Sequence, residues 1–175
     1  MLNILDKDIF EVSKLIKNGL LSPIDIYNQY SRRIKKYENK ISSFVEIYDE
    51  WQEKAEIAEK QILDGGWIGP LHGIPIAVKD LVDVEGKVTT AGSKILRNNL
   101  VGSDAEIISA LKRAGAIILG KTQMVEFAFG PHGINSNSIQ TKNPWNLDYI
   151  PGGSSSGSAA AVASSFSPIA IGSDT

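Results

Sequence analysis

Three consecutive serines, Ser154 to Ser156, follow the glycine pair Gly152-Gly153 and are the residues with the clearest chemical potential. The next segment, 159–163, is rich in alanine and favours a helix. A Gly/Ser loop that leads into a helix presents unpaired backbone N–H groups and hydroxyls at the positive end of the helix, which suits an oxyanion or a carbonyl oxygen. The alternative is a flexible linker, but the helical segment directly behind the serines disfavours it.

A serine hydroxyl needs a base before it becomes a nucleophile. The segment 153–157 satisfies the pattern G-x-S-x-G with Ser155 at its centre, and the chain holds two histidines, His72 and His132. In α/β-hydrolases, which share this pattern, a strand precedes the serine and the histidine follows it. Here both histidines come before Ser155, and Pro151 with two glycines replaces the strand. A Ser-His mechanism is therefore disfavoured unless a longer chain supplies a later histidine.

Lys79 comes directly after the apolar run Ile74–Val78, which predicts a buried strand with Pro75 near its start or on a sheet edge. A lysine at the end of such a strand either leaves the core so that its amine reaches water or belongs to a functional site. Spacing alone favours the first of these interpretations.

Lys121 belongs to a formal phosphate-binding pattern, G-x-x-x-x-G-K-T, over residues 115–122. That pattern binds phosphate when its spacer forms a loop between a strand and a helix. The spacer here, residues 116–119, consists of apolar strand formers, and we predict a strand there with a turn at 120–122. The pattern therefore does not indicate ATP binding.

Five segments, taken in order, resemble the amidase signature family of Ser-Ser-Lys amide hydrolases. They are GPLHGIPIAVKD (69–80), TTAGS (89–93), AGAIILGKTQMVEFAFG (114–130), NPWN (143–146) and GGSSSGSAAAVA with PIAIGSDT (152–175). Their combination is specific, whereas residues 1–68 match the family only loosely.

The resemblance assigns roles to the lysine and to the first serine. Lys79 stands at the position of the catalytic lysine of the family, which acts as a base when burial keeps it neutral. Ser154 stands at the position of the serine that bridges this base and the nucleophile. In the family that serine follows a cis peptide bond, which corresponds here to the bond between Gly153 and Ser154. The alternative is that all three serines are helix caps and loop residues.

The family motif continues as G-S-D-T-G-G-S, and its last serine is acylated. The 175 residues end at Thr175, which the resemblance places in the oxyanion-hole turn. We therefore expect the N-terminal part of an amidase, as a fragment, a split partner or a truncated reading frame, and no amidase activity from these residues alone. Ser155 and Asp174 are secondary candidate site residues.

The function implied by the resemblance is hydrolysis of a carboxamide through an acyl-serine, with a small-molecule amide as substrate and neither a cofactor nor a metal. Within the family, the alternative is the amidase subunit of a glutamyl-tRNA(Gln) amidotransferase, which frees ammonia from glutamine and passes it to partner subunits. An alternative of another class is a non-catalytic remnant or an interaction partner. A homodimer is a further possibility for the assembly.

Composition excludes several other classes. Apolar residues make up 42% and charged residues 22%, as in ordinary globular proteins. The chain has no cysteine, which removes disulfides and thiolate chemistry, and two histidines are too few for a typical histidine metal centre. A net charge of −2 offers no electrostatic reason to bind nucleic acid. The N-terminus does not resemble a signal peptide, and no apolar stretch approaches the ~20 residues of a membrane span. We expect a cytoplasmic protein.

Periodicity predicts the elements that must position Lys79 and Ser154. Apolar spacing predicts helices over 5–18, from a Ser22 cap to about Glu38, over 51–63 and over 157–165. A capping box at 103–106 predicts another helix, with Ile107, Leu111 and Ala114 on one face. Strands are predicted at 44–48, 74–79, 116–119 and 168–171.

This alternation of strands and helices indicates an α/β fold. We predict N-terminal helices together with part of a mixed β-sheet that is flanked by helices. We expect residues 1–175 to belong to a single domain, with residues 1–68 mainly helical and residues 69–175 forming a truncated α/β core.

Overall fold

A computed structural model describes residues 3–174 and contains five α-helices and one four-stranded sheet in that range. The helices are α1 (Ile9–Lys17), α2 (Pro23–Ile41), α3 (Trp51–Leu63), α4 (Glu106–Arg113) and α5 (Ser156–Ala163). The strands are β1 (Phe44–Ile47), β2 (Pro75–Lys79), β3 (Ile117–Thr122) and β4 (Ile169–Ile171). Two short 3-10 helices, Lys94–Leu96 and Glu126–Ala128, lie in the connections.

The sheet has the strand order β1-β3-β2-β4. Strand β2 is parallel to both of its neighbours, β3 and β4, whereas β1 runs antiparallel to β3. The sheet is therefore mixed, and the predicted α/β class with helices flanking the sheet is confirmed.

The two faces of the sheet have separate cores. On one face, Ala77 and Leu119 belong to a cluster with Ala161 of α5 and the apolar residues of α1 to α3. On the other face, Val78 packs with Ile108 of α4 and with the neighbouring strands. Because successive side chains of a strand point to opposite faces, β2 contributes to both clusters. Every residue of β2 is accordingly buried.

The first two helices begin with complete capping boxes. Asp8 and Glu11 cap α1 reciprocally, and Ser22 and Asp25 do the same for α2, as the Ser22 signal predicted. Helix α2 continues to Ile41, beyond the predicted end near Glu38. Between residues 3 and 174, no helix is long and apolar enough to cross a membrane.

The prediction of a capping box before α4 is wrong. The N-cap is Ala105, which has no side chain to cap the helix. The Asp104 carboxylate instead accepts hydrogen bonds from the Glu85 backbone N–H (2.8 Å) and from Lys112 Nζ (2.6 Å). In this helix Ile108 is fully buried and Leu111 packs against the same cluster, while Ile107 is 44% exposed. Contact with the 83–85 segment has overridden the local signal.

The turn predicted at 120–122 is also wrong, because these residues belong to β3. Gly120, Lys121 and Thr122 pair in parallel with Ala77, Val78 and Lys79 of β2, after an irregularity in the register between Ile76 and Ala77. The formal phosphate-binding pattern therefore runs along a buried strand and forms no loop.

We predict that the 175-residue chain self-associates in solution. Among the described residues, β4 pairs only with β2, and large apolar side chains such as Phe129 and Trp145 are about 90% exposed. Unpaired strand edges and exposed apolar groups both favour association. Size-exclusion chromatography with light scattering should give a mass that rises above the monomer with concentration.

A Phe129→Ser/Trp145→Ser double variant separates the two causes. If the exposed side chains drive association, this variant associates less, and if the β4 edge drives it, the mass stays as high as that of the parent. A monodisperse monomer with one cooperative melting transition would contradict the prediction.

Candidate active site

Lys79 is the last residue of β2, and its side chain has no exposed surface. It lies two residues after Ala77, on the sheet face that α5 covers. Its Nζ lies 2.7 Å from Ser154 Oγ and 2.8 Å from Ser173 Oγ. The amine therefore does not reach out to water, as spacing alone had suggested, but contacts two serine hydroxyls.

Ser154 lies just before α5, in the loop that follows the glycine pair. The peptide bond between Gly153 and Ser154 is cis, as the family resemblance predicted. The Val125 backbone N–H donates to the Ser154 carbonyl at 3.0 Å, and this bond holds the backbone of Ser154. Lys79 and Ser154, which are 75 positions apart in the sequence, are thus brought into direct contact.

Ser155 and Ser156 do not cap α5 with their side chains. Ser155 Oγ accepts a hydrogen bond from the Ser173 N–H at 3.2 Å and donates to the Ser173 carbonyl at 3.3 Å. Ser156 is buried, and its hydroxyl donates to the Gln123 carbonyl at 3.4 Å. The three serines therefore have three different environments, which contradicts the interpretation of all three as caps.

The first turn of α5 lies close to the sheet because residue 157 is glycine. A Cβ atom at Gly157 would collide with the Ser43 carbonyl and with the backbone of Gln123. The Gly157 N–H donates to the Gln123 carbonyl at 2.8 Å, and Ser158 Oγ bonds to Thr122 Oγ1 at 2.7 Å. These contacts join the serine-bearing helix to the end of β3, next to Lys79.

Ser173 was not singled out from the sequence, although it lies in the GSDT segment. It follows β4, is half-buried and contacts a lysine 94 positions away. A serine in a short polar segment has no local signature for such a contact, so only the pairing of β4 with β2 places it there. Asp174 is exposed. Thr175 lies outside the described residues.

The surroundings of Lys79 favour its neutral form. Burial lowers the pKa of the Lys79 amine below its usual range, and the Asp174 carboxylate opposes this shift. A neutral amine has a lone pair that can accept a proton, whereas an ammonium ion has none. The site can therefore hold a base in hydrogen-bond contact with a hydroxyl.

Lys121 lies in a different environment on the opposite face of the same sheet. Its Nζ contacts the Asp80 carboxylate at 3.1 Å and Thr89 Oγ1 at 2.8 Å, and the ion pair is buried at both ends. Asp80 also accepts hydrogen bonds from the Thr90 backbone N–H and hydroxyl. Burial lowers the pKa of Lys121 below its usual range, and the adjacent Asp80 carboxylate partly opposes this shift. This network fastens the TTAGS segment to the end of β2.

The histidines offer no base for Ser155. His72 is buried, its Nδ1 accepts from the Ile68 N–H at 3.4 Å, and its Nε2 lies 3.1 Å from Gln61 Oε1. Burial lowers the pKa of His72 below its usual range. His132 is exposed. Within residues 3–174, no group of three or more histidine, aspartate and glutamate side chains could hold a metal ion.

Comparison with known families agrees with the resemblance found in the sequence. A family model described as Amidase matches residues 25–175. The chain belongs to the amidase family.

Among curated proteins, the chain is similar to the A subunits of glutamyl-tRNA(Gln) amidotransferases from several bacteria. It is 41% identical to the protein from Endomicrobium trichonymphae over 98% of its own length, and 44% identical to that from Protochlamydia amoebophila over 94%. These alignments cover 36% and 34% of the two relatives. The chain therefore spans about a third of the length of the curated relatives it matches.

Solved structures give the same result for the fold. The native peptide amidase from Stenotrophomonas maltophilia superimposes with a TM-score of 0.89 and 31% identity, over 95% of this chain and 36% of that enzyme. A fatty acid amide hydrolase gives a TM-score of 0.93 and 31% identity, over 98% of this chain and 30% of that enzyme. The chain thus shares its backbone arrangement with the corresponding third of both enzymes.

Proposed function

We propose that this chain supplies the base and the bridging serine of an amidase, in which Lys79 is the base and Ser154 the bridge. The observation that carries the proposal is the 2.7 Å contact between the buried Lys79 Nζ and Ser154 Oγ. In the proposed reaction, Lys79 takes the proton of Ser154 while Ser154 takes that of the nucleophilic serine, which the family motif places after Asp174-Thr175-Gly-Gly.

The attack forms a bond between the nucleophilic oxygen and the amide carbon. The C–N bond then breaks as the proton returns through Ser154 to the leaving amine, which departs as ammonia. Water hydrolyses the acyl-serine by the same route, so that R–CO–NH2 and water become R–COOH and NH3. Thr175 is proposed to belong to the turn that binds the oxyanion, and Ser155 and Asp174 remain secondary candidates for the site.

The proposed substrate is a small-molecule carboxamide. A second candidate function is the release of ammonia from glutamine within an amidotransferase, and the similarity to the curated amidotransferase proteins favours it. In that case partner subunits would surround the chain, whereas a simple amidase could be a homodimer. Both candidates suit a cytoplasmic protein.

We also propose that residues 1–175 form the N-terminal part of one amidase domain. Support comes from β1, which belongs to the mainly helical residues 1–68 and yet pairs with β3 of the α/β core. A single hydrophobic cluster likewise joins Ile16 and Ile26 of the first helices to Ala160 of α5. Described residues from both parts of the chain therefore contribute to the same sheet and to one hydrophobic cluster.

The direct test uses what we call the complemented protein, in which residues 1–175 are joined to the C-terminal two thirds of a curated relative. Ammonia release is measured with an aromatic carboxamide and with glutamine, with and without the partner subunits of the relative. Turnover that depends on Lys79 and Ser154 supports the proposal. A folded complemented protein that releases no ammonia from either substrate would favour the non-catalytic alternative.

We predict that Ser154→Ala lowers kcat of the complemented protein by about 10²–10³-fold, because it removes the proton bridge and leaves the base in place. The thermal midpoint should stay close to that of the parent, since the Val125 contact uses the Ser154 backbone. Ser156→Ala is the matched control. Its hydroxyl bonds only to the Gln123 carbonyl among the described contacts, so kcat should change little. Equal kcat values for the two variants would reject the bridging role.

A further inference from the structure

Lys79 contacts two hydroxyls at nearly equal distances, and the proposed mechanism uses only one of them. Ser154 Oγ lies 2.7 Å and Ser173 Oγ 2.8 Å from the amine. A neutral amine has two N–H donors and one lone pair, and the lone pair must point at the proton that it is to accept. An amine free to rotate about its last C–N bond would spend much of its time with the lone pair turned away from Ser154.

We propose that Ser173 is a positioning residue for Lys79. Its hydroxyl oxygen accepts one N–H of the neutral amine, and this bond directs the lone pair toward the hydroxyl of Ser154. The inference rests on the proposed function, because it assumes that Lys79 acts as the base. It assigns to the GSDT segment a second role, besides the oxyanion-hole turn that the family resemblance implies.

The backbone around Ser173 is held in a way that suits this role. Ser155 Oγ accepts from the Ser173 N–H and donates to the Ser173 carbonyl, so that one side chain contacts both backbone groups of residue 173. Ser158 Oγ donates to the Ile171 carbonyl at 2.9 Å. Two serines from the start of α5 therefore hold the end of β4 and residue 173 in place, and Ser155 supports the site through the backbone of Ser173.

A close approach of the backbone allows Ser155 to make both bonds. A Cβ atom at residue 172 would come within 2.9 Å of Ser155 Oγ and 3.2 Å of Ser155 Cβ, and this position is a glycine. By contrast, the Ser173 hydroxyl contacts Lys79, while the backbone groups of Ser173 make the contacts with Ser155. Removal of the Ser173 hydroxyl should therefore affect the lysine and spare the backbone arrangement.

The test compares Ser173→Ala and Ser173→Thr in the complemented protein labelled with 13Cε-lysine. The Lys79 signal is identified by its loss in a Lys79→Met variant, and its pKa is read from a pH titration. Ser173→Ala removes an acceptor that also stabilises the ammonium ion, so the pKa of Lys79 should fall below that of the parent. Ser173→Thr keeps the hydroxyl and should restore the parental pKa.

Activity is measured on the same variants. We expect Ser173→Ala to lower kcat by about 10–10²-fold with little change in KM, because the base is present but misdirected. Since the base must be neutral, the acid limb of the pH–rate profile should move to lower pH together with the pKa of Lys79. Ser167→Ala is the matched control, because the hydroxyl of this buried serine bonds to the Pro75 carbonyl at 3.1 Å and to the Ile169 carbonyl at 2.7 Å rather than to the amine. It should leave the pKa of Lys79 unchanged.

Two results would overturn the inference. One is a pKa of Lys79 that is the same in the parent and in Ser173→Ala. The other is a loss of kcat in Ser173→Ala that Ser173→Thr does not restore. If the complemented parent itself releases no ammonia, the proposed function fails, and the titration alone then decides whether Ser173 holds the amine.

Discussion

Lys79→Met abolishes amide hydrolysis by the complemented protein, with an expected loss in kcat of about 10⁴-fold. This is the upper end of the range for a positioned base, because no other amine or imidazole described in the structure contacts Ser154. Methionine keeps most of the volume and length of the buried side chain while it removes the nitrogen. The measurement is steady-state ammonia release, together with the thermal midpoint of each variant.

Two further lysines serve as controls for this prediction. Lys17→Met changes an exposed residue at the end of α1 and should leave kcat unchanged. Lys121→Met should lower the stability of the protein and change kcat little, because the Lys121 amine contacts Asp80 and Thr89 on the other face of the sheet. If Lys79→Met retains near-parental turnover while Lys121→Met is inactive but folded, Lys121 is the base and the assignment of Lys79 is wrong.

Lys121→Met should lower the free energy of unfolding by about 3–5 kcal/mol, the usual cost of leaving one charge of a buried ion pair without its partner. Both side chains of the Lys121–Asp80 pair are about 1% exposed, so water cannot replace the lost ammonium. The two hydrogen bonds from Thr90 remain but do not neutralise the carboxylate. Urea unfolding of the parent and the variant, followed by tryptophan fluorescence, gives the difference in the free energy of unfolding.

The matched control for this experiment is Arg113→Met, which breaks the Arg113–Glu106 pair at 2.9 Å. Both of those side chains are mostly exposed, so the loss should stay below about 1 kcal/mol. An Asp80→Asn/Lys121→Met double variant should lose less than the sum of the two single variants, because it leaves no unpaired buried charge. A loss below about 1 kcal/mol for Lys121→Met, or strict additivity, would contradict the prediction.

Local sequence patterns predicted the types of most elements. The bounds of α3, Trp51–Leu63, follow from helical spacing that ends at a glycine pair, and the Ser22 cap correctly marks the start of α2. Such signals work because they depend on backbone groups within one or two turns of each other. The same reasoning failed at α4, where Asp104 bonds to Glu85 and Lys112 and leaves the helix without its cap.

The site was predictable only in part. Spacing could not tell whether Lys79 turns to water or to a partner, and the family resemblance was needed to pair it with Ser154. The roles of these residues remain proposals, while their contact is a property of the fold. The structure separated Lys121 from this site because Lys121 pairs with Val78 and Lys79 with Thr122, so that the two lysines face opposite sides of the sheet.

The sequence by itself determined the helices, the buried strands and the segments that resemble the amidase family, since each is encoded by neighbouring residues. Only the tertiary structure brought Ser173 to Lys79. Strands β2 and β4 are parallel neighbours with Val78 opposite Ile171, so their carboxyl ends meet at the same edge of the sheet. Lys79 comes one residue and Ser173 two residues beyond that pair, and the contact between their side chains depends on strand order and register. No pattern local to either segment encodes those two properties.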